Sequence, residues 1–323
     1  MDPDSAKNLD DLRKLFENAD TTTHQPSGPW LKSLSDKLYT MFRAPLREEY
    51  RREAFKWVAS LCIALNDFSW LCPDGSWSKD SARVFTCIAQ LSFNEIHLIL
   101  PLIQRHLTFG DSEEVEDGKL LARSANQVDY ENFGNHLVIL ECCIKSLIDH
   151  QNEAEEGGGG NALTDCIDNH ELASLLSQLR RRIEELFDYV GVVHRYWLKL
   201  LGQRDTYIFA AAEGALRILC IWVSEDQISY KSQCKRFLID MLVKNILLVD
   251  RPANKDLMIT GLHSICTHDD EMKTHLKTIP NYKGSLENYI IHVQSERSDK
   301  QRSKRDEKLF KLRCGLIKDL LTD

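Results

Sequence analysis

The chain has 323 residues, 43% hydrophobic and 28% charged, enough apolar side chain to bury a large core at an ordinary globular charge density. A formal charge of -8 and a pI near 5.8 leave no global attraction to a phosphate backbone, which excludes nucleic acid as the expected partner. The ten cysteines form no CxxC pair, and the first residues, MDPDSAKNLDDLRKLFENAD, carry acids without an apolar run. They read as neither signal nor transit peptide, so the expected compartment is the reduced cytosol.

Glycines and prolines cluster between long segments whose apolar residues recur every three or four positions, the spacing of amphipathic helices. After a polar segment over 1–28, the first helix is predicted over Trp30–Phe42, with Leu31, Leu34, Leu38, Met41 and Phe42 on one face. Pro45 forbids its regular continuation. A second helix is predicted from Arg47 through Tyr50, Ala54, Trp57, Val58, Leu61 and Leu65. It runs into the turn-rich connector NDFSWLCPDGSWSKD, which Phe68, Trp70 and Trp77 are expected to tuck onto the helices. Ser78 is the expected N-cap of a long third helix through Val84, Phe85, Ile88, Leu91, Ile96 and Leu100, with Pro101 a kink or an end.

The stretch near 108–133 is polar and acidic and reads as a mobile surface insert. Periodicity returns at His136 and marks a fourth helix through Leu137, Leu140, Ile144, Leu147 and Ile148. The Gly run and acids near 151–168 form a second expected mobile insert. From Asn169 a very long pattern follows, through Leu172, Leu175, Leu176, Leu179, Ile183, Leu186, Phe187, Val190, Val193, Trp197, Leu198 and Leu201, a single rod unless Gly191 bends it. Further helices are predicted near 205–223, 229–247, 252–267, 269–277, 284–294 and 300–321.

No segment carries the alternating β-branched pattern of a strand, so the predicted class is all-α. Segments 134–150 and 206–223 are apolar on more than one side, as helices between two layers are. The expected architecture is therefore an α-solenoid, an irregular stack of helix pairs, over 29–295, with the basic segment 296–323 packed on it as a helix.

The search for chemistry returns little. The segment HSICTHDDEMKTH holds His263, Cys266, His268, Asp269, Asp270 and His275, but neither HExxH nor a paired CxxC, and reads as a helix end followed by an Asp-rich cap. GxSxG, GxxxxGK[ST] and a strand-borne GxGxxG are missing, and the GGGG at 157–160 lies among acids that repel phosphate. No run approaches the roughly 20 apolar residues of a bilayer span. No catalytic, metal-binding or cofactor-binding residue is therefore expected, and the chain is read as a non-enzyme. The segment ERSDKQRSKRDEKLFKLR at 296–313 interleaves acids with bases and reads as a solvated helix face, with peripheral lipid contact as the alternative. Tyr196, Trp197, Tyr207 and Trp222 are the candidate protein-contact residues, although each falls on an apolar helix face.

Several stretches taken together resemble the neurochondrin family. The helix over 32–65 leading into NDFSWLCPDGSWSKDSARVFTCIAQLSFNEIHLIL is similar to that family's helix, Trp and Pro-Gly turn, and long leucine-rich helix, with Trp70, Pro73 and Gly75 at the turn. HLVILECCIKSLIDH, IEELFDYVGVVHRYWLKL and FAAAEGALRILCIWVSED are similar to later family segments, with Arg217, Ile218, Leu219, Trp222, Glu225 and Asp226 at matching places. The likeness runs in order over about 30–270, and family members are longer, so it implies a shortened relative or a fragment. It also implies an armadillo-like helical scaffold in the cytosol and in neuronal projections. Such a scaffold is linked to neurite outgrowth and modulates calmodulin-dependent kinase signalling. Its implied partners are kinases or receptor cytoplasmic tails. The other readings are a peripheral lipid-binding module and a helical enzyme with an unrecognised site.

Overall fold

The structure is a computed structural model that describes residues 28–43, 48–65, 67–72, 76–108, 130–155, 162–203, 206–226, 228–248, 252–267, 269–298 and 304–321. Its elements are helical throughout, with no strand among the described residues, as the apolar periodicity predicts. The chain divides into two compact units, residues 1–182 and 183–323.

In the first unit, α1 (Gly28–Arg43) buries Leu34, Leu38, Met41 and Phe42 of the stripe predicted for it, and the Leu31 side chain lies outside the described residues. Helix α2 (Glu48–Leu65) buries Ala54, Phe55, Val58, Ala59, Leu61 and Cys62, whereas Tyr50 and Trp57 stay half-exposed. The inward face is thus rotated toward Phe55 relative to the predicted one. The connector folds down through a 3-10 turn, Ser69–Leu71, and Phe68 and Trp77 both meet Phe85 edge-on, at ring-centroid distances of 5.1 and 5.6 Å.

Ser78 caps α3 (Lys79–Thr108) in a reciprocal pair: its Oγ accepts the Ser81 N–H at 3.1 Å, and Ser81 Oγ accepts the Ser78 N–H at 2.9 Å. The helix continues through Pro101 for two further turns. Helix α4 (Tyr130–Glu155) begins earlier than its predicted start at His136, because Phe133 is already in the core. It packs on both α2 and α3 and buries Leu137, Ile139, Leu140, Cys142, Cys143, Ile144 and Leu147, a spread that needs neighbours on two sides. Ion pairs Arg51–Glu95 (2.8 Å) and Lys56–Glu131 (2.7 Å) tie α2 to these two helices.

Of the two expected inserts, residues 109–129 and 156–161 lie outside the described residues. Residues 151–155 extend α4, and 162–168 fold onto the core through Ala162, Leu163 and Ile167 around the short helix α5 (Leu163–Cys166). Helix α6 (Asn169–Gln203) starts at Asp168, whose carboxylate accepts the His170 N–H at 2.9 Å, and it runs through Gly191 without a break. The division between the two units falls within this helix.

The second unit is built on α7 (Thr206–Glu225) and α9 (Pro252–Thr267), which pack directly together. Gly261 makes their approach possible, since a Cβ there would lie 2.6 Å from Cys220 Sγ. Between them the chain forms an α-turn (Lys231–Gln233), a π-helical turn (Cys234–Leu238) and α8 (Ile239–Leu248). Asp269 then caps α10 (Asp270–Thr278), accepting from the Glu271 and Met272 N–H groups. After Pro280, Asn281 takes a left-handed conformation at φ 61° and starts α11 (Tyr282–Ser298). The final helix, α12 (Lys304–Leu321), packs on α9 and α11.

Candidate functional site

The four predicted contact aromatics stand on α6 and α7 in the second unit. Trp197 is only 3% exposed and meets the Phe209 ring edge-on at 5.1 Å, which makes it a core residue. Tyr196 is half-buried, and the Tyr207 side chain lies outside the described residues. Trp222 is half-buried too, with its indole nitrogen enclosed and without a hydrogen-bond partner in the described structure. Of the described candidates, Trp197 is thus enclosed, and Tyr196 and Trp222 keep part of their surface open.

The metal-like segment disperses in the same way. His263 Nε2 lies 3.3 Å from Asp319 Oδ2 on α12, Cys266 is buried with its thiol 3.9 Å from the Met272 carbonyl, and Asp269 is committed to its cap. Among the described residues, no group of three or more His, Cys, Asp or Glu side chains could hold a metal ion. Burial pushes the thiols of Cys72, Cys234 and Cys266 up to about 12 and raises those of Cys220 and Cys143 as well. A protonated thiol in an apolar wall is a poor nucleophile.

One buried dyad has the residue types of a nucleophilic site. Ser92 Oγ lies 3.1 Å from His136 Nδ1, where α3 meets α4. Both side chains have no solvent exposure, and Phe55 closes the other side of the imidazole, edge-on at 4.5 Å between ring centroids. Burial, helped by the Arg51 charge, lowers the imidazole pKa to about 3, which keeps the ring neutral. A general base must reach the proton it abstracts from a substrate, and this one is sealed. The pair is a polar contact enclosed in the core.

The surface is more informative. On α3, Leu98 is 62% and Leu102 47% exposed, one turn apart, with Pro101 exposed between them. Neither leucine is on the face predicted for this helix, which runs through Val84, Phe85, Ile88, Leu91, Ile96 and Leu100. Their outward turn follows from the burial of Ile96, Ile99, Leu100 and Ile103, which occupy the inward arc and leave 98 and 102 on the opposite one. Ile63 on α2 and Leu176 on α6 are further exposed apolar side chains of this unit, and Ile228, Ile291 and Leu312 are those of the second. Clustered apolar side chains on a surface mark contact sites more often than isolated ones do.

The same helix corrects the membrane reading. Residues 79–105 are long and apolar enough to cross a bilayer, with a mean hydropathy of 1.3 in the most apolar window. Asn94, Glu95 and His97 interrupt the apolar run, which is why a search for continuous apolar residues passes over it. Its packing is that of a core helix: Phe85, Ile88, Phe93 and Ile96 are buried, and Glu95 pairs with Arg51.

In the second unit, three separate helices converge on one carboxylate. Asp256 of α9 accepts from Tyr289 of α11 at Oδ1 and pairs with Arg313 of α12 at Oδ2. These partners are 33 and 57 residues away in the chain, and no local motif announces them. Beside them, Ile317 and Leu320 of α12 are each 1% exposed, and Asp319 faces His263. The arrangement can hold a helix by one buried apolar pair flanked by two polar contacts, and it has no chemistry of its own.

Compared with models of protein families, with curated proteins and with solved structures, the chain matches none of them.

Proposed function

We propose that this chain is a non-enzymatic, armadillo-like helical scaffold that binds other proteins in the cytosol. The observation that carries the reading is the exposed Leu98–Pro101–Leu102 surface on α3, a helix whose remaining large apolar side chains are otherwise mostly in the core. The supporting observations are chemical. The Ser92–His136 contact is sealed, burial holds the thiols of Cys143, Cys220, Cys234 and Cys266 protonated, and His263 and Cys266 of the histidine-rich segment turn to other partners. Helices that bury side chains on two faces, α4 and α7, suit stacked helix pairs of the solenoid kind. The resemblance to the neurochondrin family points to kinases or receptor cytoplasmic tails as partners, and to neurite outgrowth as the process served.

The test is affinity capture from neuronal cytosol with the intact chain as bait, beside a Leu98→Asp, Leu102→Asp variant, with bound proteins identified by mass spectrometry. Kinases or receptor tails retained by the intact chain and lost from the variant are the expected result. Equal retention by both, or retention of none, overturns the reading.

A further inference from the structure

Helix α12 is held differently from the other long helices of its unit. Of its described side chains only Ile317 and Leu320 are buried, whereas α9 buries Met258, Ile259, Leu262, Ile265 and Cys266. Leu312 stands 58% exposed on the same helix. A Cβ placed on Gly315 would meet nothing within 4 Å, so the helix carries a residue that weakens it without a packing contact that requires it. The remaining attachment is polar: Arg313 to Asp256, and Asp319 to His263 at 3.3 Å. A segment with two buried apolar side chains among those described opens at a lower free energy than the core it rests on.

The groove beneath it would not vanish on opening. Asp256 is oriented by the Tyr289 hydroxyl, from α11, independently of α12. Its walls, α9 and α11, are each packed against α8. We propose that α9 and α11 form a standing helix-binding groove, and that α12 is its built-in, displaceable occupant. The partner it fits is an amphipathic helix of another protein. That helix presents arginine, an aliphatic side chain four positions later and a second aliphatic three positions beyond, the 313, 317, 320 pattern that lies on one helical face. This rests on the protein-binding reading above and names one of its sites. Arginine is specified because Asp256 lies half-enclosed at the groove, with Oδ2 facing the Arg313 guanidinium.

The intact chain is tested with a fluorescent synthetic peptide of residues 304–323 as probe. In the wild type, α12 competes for the groove. In an Ile317→Asp, Leu320→Asp variant the groove is vacated, and the peptide is expected to bind at least about tenfold more tightly. Adding Asp256→Asn to that variant is expected to remove the gain. Peptide binding no tighter than to wild type overturns the proposal, and so does loss of the variant's helical circular dichroism, which would make α12 part of the core. Hydrogen exchange on the wild type supplies a second measurement: α12 amides exchange ahead of those of α9, and equal protection overturns the proposal. Concentration-dependent doubling of mass by light scattering would assign the groove to a second copy and overturn the partner named here. Failure of these tests with cytosolic capture intact removes the groove alone, while peptide binding without any protein capture removes the broader scaffold reading.

Discussion

Ser92 and His136 meet at 3.1 Å inside the first unit, and His136 Nε2 has no hydrogen-bond partner among the described residues. The imidazole is therefore stable in this core only while it is neutral. Its pKa, lowered to about 3, lies below the ordinary value near 6.5 that it regains on unfolding. The unfolded chain then binds the extra proton, and stability present above about pH 6.5 is lost as pH falls toward 3. Denaturant titrations between pH 7 and 4 should show a loss of up to about 1.4 kcal/mol per pH unit from this group. His136→Asn should be less stable at pH 7 and lack that component of the slope; parallel pH curves for the two proteins would refute the assignment.

The Gly261 contact makes a steric prediction. In Gly261→Ala the new methyl would lie 2.6 Å from Cys220 Sγ and 3.0 Å from its Cα, and the backbone atom cannot rotate away. Helix propensity favours alanine by about 1 kcal/mol, but overpacking between α7 and α9 costs about 1–3 kcal/mol or more, so the net change is destabilising. A midpoint of thermal unfolding at or above that of the wild type would contradict it. Gly315→Ala is the control: with open space around it, it should stabilise α12 by roughly the propensity difference.

Thiol accessibility offers a direct check on packing. Cys62, Cys142, Cys143, Cys220, Cys234 and Cys266 are buried, while Cys72, Cys87, Cys166 and Cys314 are half-exposed. Aromatic disulfide reagents at pH 8 should titrate no more than these last four in the native protein and all ten after denaturation. Fast reaction at Cys143 or Cys220 would show that α4 or α7 is not enclosed as described.

At the α3 surface, Leu98→Asp with Leu102→Asp should leave stability within about 0.5 kcal/mol, because both side chains already face water. Protein capture should fall while the unfolding midpoint holds. A large loss of stability would place these leucines in a core contact instead.

Much of the helical layout was legible because its signals are local. Ser78 and Asp269 cap the helices predicted to follow them, and Pro252 opens α9 at the position where a missing N–H costs nothing. The aromatic connector also folds inward as its composition predicts. What escaped is what depends on neighbours. Leu98 and Leu176 look like their buried counterparts until packing decides which arc of the helix faces out. The Asp256 cluster draws on residues from three helices, and Phe55 is in the core because α2 presents it to His136 of α4. Periodicity specifies that a face exists, and tertiary contact chooses its azimuth.

The π-helical turn at Cys234–Leu238 bears on how this sequence tolerates insertion and deletion. The Ile239 N–H bonds to the Cys234 carbonyl, five residues back, so the turn holds one residue more than an α-turn does. That surplus resets the phase of everything after it: removing a single residue there would restore regular α-helix and rotate Ile239–Leu248 by about 100° about its axis. Met241, Leu242 and Ile246 would then swing away from the interior they fill, while Asp240 and Lys244 would leave the His194 side. A one-residue deletion in this turn is thus a change of face for a whole helix, and homologous chains should keep its length fixed even where its side chains vary.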